Sequence, residues 1–154
     1  MSGAAAEGVV AGGVVAAGVV AGGSASGAAA LQAAIVTAAG GVVTTFDAPP
    51  VRAALPYAVI EDAVLARWGA AGIDGREGRV RIVLHDAGER PVRLRTLAAD
   101  VEAAVTMLSG EIGGGWRVVA LRLVGGRTQR SGGGNGGDRW TATREFAVKL
   151  YREG

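Results

Sequence analysis

Four groups of residues in this sequence have types and spacings that could do chemistry. His85, Asp86 and Glu89 fall within one short stretch, and an imidazole beside carboxylates is the starting set for general acid–base work. A hydrolase centred on His85 would also need a nucleophile or further ligands. His85 is the sole histidine and there is no cysteine, so neither a metal centre nor a thiol nucleophile can be assembled around it. A polar strand end followed by helix-capping acids is the plainer reading. Glu61 and Asp62 are adjacent, and neighbouring residues of a strand point to opposite faces; Asp100 and Glu102, two apart on a helix, also diverge. Gly132-x-Gly134-x-x-Gly137 has the spacing of a dinucleotide fingerprint, which works only where a strand precedes it and a helix follows to present amides to phosphate. Here a strand follows, and a glycine-dense tip produces that spacing by composition. The sequence therefore predicts no catalytic residue, no cofactor site and no metal site.

Charge offers a different chemistry. From Gly115 onward eight basic side chains face three acidic ones, a surface that could touch phosphate and supports a small basic nucleic-acid-binding module as an alternative. No series of stacking aromatics, helix-turn-helix or zinc finger accompanies it. Trp116 and Trp140 flank a hairpin and read as packing anchors. Arg127, Arg130, Arg139 and Trp140 lie on the two arms beside its tip, where ion pairs with another protein surface are the expected use. These four are the candidate interface residues.

The elements that must hold these groups follow from the pattern of apolar residues. The chain has 154 residues, enough for one core and too few for two ordinary domains. Aromatics are only 5% and glycines number 27, so much of the 49% apolar content is Ala and Val in flexible context. The formal charge is +2, and Lys149 is the only lysine. Residues 1–27 form a Gly/Ala/Val leader in which a five-residue repeat runs from Val9 to Gly23. That period matches neither helix nor strand. Its glycines, and the lack of any Lys or Arg before Arg52, argue against membrane insertion. The leader reads as flexible, as an arm that orders on a neighbouring subunit, or as sequence upstream of the true translation start.

Residues 28–154 read as one domain. Ser24 or Ser26 caps a helix over residues 28–39, which Gly40 and Gly41 stop. Pro49 and Pro50 hold a connector, and a strand starts after Pro56. Residues 66–78 are polar and glycine-rich, predicting a long hairpin loop or ragged edge. Residues 79–85 alternate as a half-buried strand. Pro91 starts a helix to Leu108 with Leu94, Leu97, Val101, Val105 and Leu108 on one stripe. Strands over residues 116–124 and 140–151 then form a hairpin whose tip is residues 131–137. The order predicts an α+β fold: an antiparallel or mixed sheet of about four strands with two helices packed on one face.

One signature goes further. Phe46-Asp47-Ala48-Pro49-Pro50, followed by Leu55-Pro56-Tyr57-Ala58-Val59-Ile60, sits between the first helix and the strands. With that element order it resembles the tail terminator, or tail completion and head–tail joining, proteins of long-tailed phages and gene transfer agents. The resemblance covers residues 28–152. It implies a tail-terminator-like fold and a non-enzymatic structural virion protein, assembled in the bacterial cytoplasm and placed at the head-proximal end of the tail. Its implied partners are copies of itself in a hexameric ring, the major tail tube protein, the head–tail connector protein, and DNA passing weakly and without sequence preference through the lumen; a membrane is not among them. Arg127 and Arg130 would then meet a neighbouring ring member or the tube. The leader and the glycine-rich tip depart from the family pattern, and no functional side chain transfers.

Overall fold

A computed structural model of the chain describes residues 10–11, 13–14, 26–133 and 137–153. Most of the leader, and Gly134 of the fingerprint-like spacing, lie outside the described residues. Two short strands, Val10–Ala11 (β1) and Gly13–Val14 (β2), pair antiparallel with each other. The first helix, Gly27–Gly40 (α1), is capped by Ser26, whose hydroxyl accepts from the Ala29 amide at 3.0 Å. Of the two serines able to cap, the nearer one does so, satisfying an amide the helix leaves open. Leu31 and Ile35, four apart, are buried with Ala39.

Thr45–Phe46 (β3) runs parallel to Tyr57–Ile60 (β4), which begins directly after Pro56 as expected. Val64–Ala70 (β5) and Ile73–Ala87 (β6) form a hairpin. Val92–Thr106 (α2) follows, with Leu94, Ala98, Val101 and Val105 buried in one stripe. Pro91 caps this helix rather than starting it, and the helix stops at Thr106, short of Leu108. Gly110–Gly113 (β7), Trp116–Gly132 (β8) and Arg139–Glu153 (β9) complete the chain.

The sheet order is β3-β4-β6-β9-β8-β7, with β5 also on β6. Seven strands therefore replace the four expected. The α+β class and the mixed sheet stand, the parallel β3–β4 pair supplying the mixture. The difference comes from two places. The short strands β3 and β7 carry no periodic signal of their own. More importantly, residues 66–78 are ordered hairpin, because their glycines serve close packing instead of looseness. A Cβ on Gly75 would sit 2.3 Å from the Trp68 ring, and one on Gly78 would sit 1.9 Å from the Val64 carbonyl oxygen. Trp68 lies across the gap, its Nε1 donating to the carbonyls of Arg76 and Leu150, both at 3.1 Å, while the Lys149 ammonium stands 4.3 Å from the ring centroid. The turn is tight, with Gly72 at φ +80°, a conformation that glycine adopts without penalty.

Both helices pack on one face. Leu84, Ile82 and Val80 of β6, with Ala142, Phe146, Val148 and Leu150 of β9, meet α1 and α2 in one apolar cluster. Trp116, fully buried at the start of β8, closes the lower end of it. Among the described residues, no helix lies on the opposite face of the sheet. On it Phe46, Tyr57 and His85 form a row across β3, β4 and β6, with centroid separations of 5.9 and 5.0 Å.

Candidate functional site

The β6–β9–β8 ladder decides where the chemistry-bearing residues fall. His85 pairs with Thr141, Asp86 with Trp140 and Ala87 with Arg139, while Trp140 pairs with Arg130 and Arg139 with Gly132. Arg130, Arg139 and Trp140 thus gather at one end of the sheet, where Arg139 and Trp140, with Leu55, His85, Asp86, Ser131 and Thr141, line an open depression of about 290 Å³. Arg127 stands a few residues along β8, opposite Thr143.

The four candidate interface residues do different work. Trp140 is a latch: its Nε1 donates to the Gly88 carbonyl at 2.9 Å, and the Gly88 amide donates to the Asp138 carbonyl at 3.0 Å. These bonds tie the hairpin to the turn before α2. Arg130 lies over the Trp140 ring at 4.6 Å and pairs with Asp138 at 2.6 Å. Both residues are thus occupied within the chain. Arg127 is exposed; its Nη1 donates to the Gln129 side-chain oxygen at 3.1 Å, and its carbonyl accepts from Arg144 Nη1 at 3.3 Å. Arg139 is exposed on the rim of the depression.

His85 and Asp86 do not form a dyad. As successive residues of β6 they face opposite sides of the sheet. Asp86 turns to the helix side, is 3% exposed, and accepts from Arg93 Nε at 2.8 Å, Arg93 Nη2 at 2.6 Å and the Ala87 amide at 2.8 Å. This bidentate clamp fixes the first turn of α2 to the end of β6. Arg93 holds the Asp86 carboxyl below its ordinary range, with burial opposing the shift. His85 is half-buried under Tyr57, and burial lowers its pKa. Among the described residues no group of three or more His, Cys, Asp or Glu side chains could hold a metal ion, and no helix is long and apolar enough to cross a membrane.

The clamp sets a pH dependence. Because the folded pKa of Asp86 is depressed, its stabilisation is fully present above the unfolded value of about 3.9 and is lost as pH falls through the folded value. Asp86→Ala is expected to cost about 1–3 kcal/mol at pH 7 and to flatten the stability curve below pH ~4. Urea melts of both proteins at pH 7 and pH 3 check this; equal losses at both pH values would contradict it.

The neighbouring acidic residues at the end of β4 take separate partners. Glu61 reaches Arg81 at 3.5 Å while Asp62 accepts from Gln32 at 3.4 Å. Glu102 pairs with Arg144 at 2.6 Å, tying α2 to β9. Sequence reasoning missed the second cationic cluster, at the other end of the sheet. There Arg152 and Arg76 lie over the Trp116 ring at 4.5 and 5.4 Å, and Asp74 contacts both guanidinium groups. Arg76 foremost lowers the Asp74 pKa. No local sequence pattern signals this cluster, because Arg76 and Arg152 come from different strands and meet Trp116 only through the sheet's register.

Taken together, the surfaces are clamps and ladders with exposed arginines. The profile of one protein family, described as tail completion protein gp17, matches residues 27–145. A search of curated proteins finds no match. Among solved structures, a chain from the virion of a native gene transfer agent particle has the same fold with a TM-score of 0.62 at 21% identity, covering 80% of this chain and 95% of that one.

Proposed function

The chain belongs to the tail completion protein gp17 family and is a structural component of a virion tail; from that premise we propose that it forms a homo-oligomeric ring that ends the tail tube and joins it to the head connector. The observation that carries the reading is the family match over residues 27–145, which takes in both helices and most of the sheet. The gene-transfer-agent virion chain, alike in fold, supports a particle of that kind or a phage. The mechanism is geometric. A subunit whose one ring face complements the last tube ring, and whose other face does not repeat it, converts an open stack into a closed end. No step in this role requires turnover, so the protein acts without being an enzyme.

In the ring, β6 runs 15 residues, roughly 50 Å at the usual rise per residue, and separates two ends of different chemistry. The hairpin end offers Arg127 and Arg139 to a neighbouring subunit, the tube protein or the connector. DNA crosses the lumen with weak contacts that read no sequence. Assembly takes place in the bacterial cytoplasm and the ring sits at the head-proximal end of the tail.

Size-exclusion chromatography with light scattering, followed by negative-stain microscopy, tests the reading. The expected result is a mass several times the 15.3 kDa of one chain and annular particles. A strict monomer that also fails to bind the tube protein would overturn it.

A further inference from the structure

Two strand edges lie open at opposite sides of the sheet. Among the described residues β5 pairs only with β6. On the far side β7 pairs with β8 no further than Val118, leaving residues 119–132 of β8 without an outer neighbour among the described residues. Unpaired edges on a solitary protein are usually blunted by lysine, proline or brevity. β5, Val-Leu-Ala-Arg-Trp-Gly-Ala, has neither lysine nor proline. Exposed apolar side chains flank both edges: Val64 at 77% on β5, and Val119 at 52% and Leu123 at 39% on β8.

The strand directions make these edges complementary. β5, β6, β9 and β8 are successive neighbours, each antiparallel to the next. With four strands in alternation, β5 and β8 run in opposite directions. A rotation about an axis along the strands preserves each direction, so β5 of a neighbouring copy arrives at β8 in the antiparallel sense. Resting on the ring reading above, we propose that β8 of one copy pairs with β5 of the next, so that a continuous antiparallel sheet closes the ring.

Register narrows the contact. On β8 the faces alternate across a bulge between Leu123 and Gly125. Leu121 and Leu123 lie on the helix side, opposite the buried Val148 and Phe146, and Arg122 lies on the helix-free side. On β5, Leu65 packs toward the core while Trp68, over Gly75, lies on the helix-free side with Ala66 and Val64. The placement that clears β7 and keeps faces matched sets Ala66 opposite Arg122, Leu65 opposite Leu123 and Val64 opposite Gly125. Leu65 and Leu123 then join the apolar layers of adjoining copies. The bulges of β8 also add local twist, which a closed sheet requires.

The absence of cysteine gives a clean test by cross-linking. Ala66→Cys is combined in turn with Ala120→Cys, Arg122→Cys and Arg127→Cys, all on the helix-free side, and oxidised mildly in the full-length chain. Pairing predicts that the Arg122→Cys combination gives a ladder on denaturing gels reaching the ring mass, while the single variants give none. Val64→Lys, at an exposed position, is expected to keep its melting temperature and to weaken assembly by tenfold or more. If the wild-type chain forms rings, none of the three combinations cross-links and Val64→Lys rings persist, the edge pairing is wrong and the ring stands. If the wild-type chain stays monomeric at high concentration, both fall.

Discussion

Trp116→Ala is expected to lower folding stability by about 3–5 kcal/mol, the range for truncating a buried tryptophan. The indole is fully buried at the start of β8. Gly27, the first residue of α1, lies so near that an added Cβ would stand 3.4 Å from the ring. On its other flank Arg152 and Arg76 approach the ring at 4.5 and 5.4 Å. Removing the indole opens a cavity where α1, β6, β8 and β9 meet and deprives two guanidinium groups of their aromatic partner, worth about 0.5–1 kcal/mol each where partly exposed. Equilibrium urea unfolding measures the loss. Trp116→Phe should lose less than half as much, because a ring remains in place. A wild-type midpoint for Trp116→Ala would show that α1 docks without it.

The second large effect is expected from one methyl group. Gly78→Ala places a Cβ 1.9 Å from the Val64 carbonyl oxygen and 3.0 Å from Leu65 Cα. Both contacts are backbone, so no side chain can swing away and the strands themselves must part. A cost of about 3 kcal/mol is expected, at the upper end for overpacking, concentrated in β5. Hydrogen exchange should show residues 64–70 losing protection while α2 and β9 keep theirs. Gly40→Ala serves as the contrast. Nothing lies within 4 Å of its added Cβ, and alanine is the better helix former by roughly 1 kcal/mol, so stability should hold or rise slightly. Because β5 is also the proposed contact to the next copy, Gly78→Ala should reduce assembly more than its stability loss alone explains.

Legibility from sequence follows periodicity closely. α2 was readable from Leu94, Val101 and Val105, and all three are buried. β9 was readable from Phe146, Val148 and Leu150, and these form the floor of the core. β5 was not readable, because Gly69, Gly72, Gly75 and Gly78 resemble a loop unless the indole of Trp68 is known to lie on one of them. β3 and β7, of two and four residues, borrow their order from neighbours and have no pattern to detect. The continuation of β8 to Gly132 was hidden in the same way, by Gly125 and Gly126 in mid-strand.

At the candidate site the sequence placed Arg130, Arg139 and Trp140 beside one hairpin tip but could not divide their labour. Arg130 and Trp140 are ten residues apart in sequence and directly opposite in the ladder, so their stacking depends on register. The Asp86–Arg93 clamp crosses from strand to helix over seven residues, a spacing that no single element's period predicts. What remains outward-facing, Arg127 and Arg139, is distinguished only by the partners that its neighbours have already taken.

Electron microscopy of particles from producing cells, with this gene deleted and then restored, tests the tail-completion role most directly. Deletion should leave heads unjoined and tubes of uncontrolled length, and restoring the gene should return joined particles of uniform tail length. Deleted cells that still yield joined particles with tails of normal length would contradict the account.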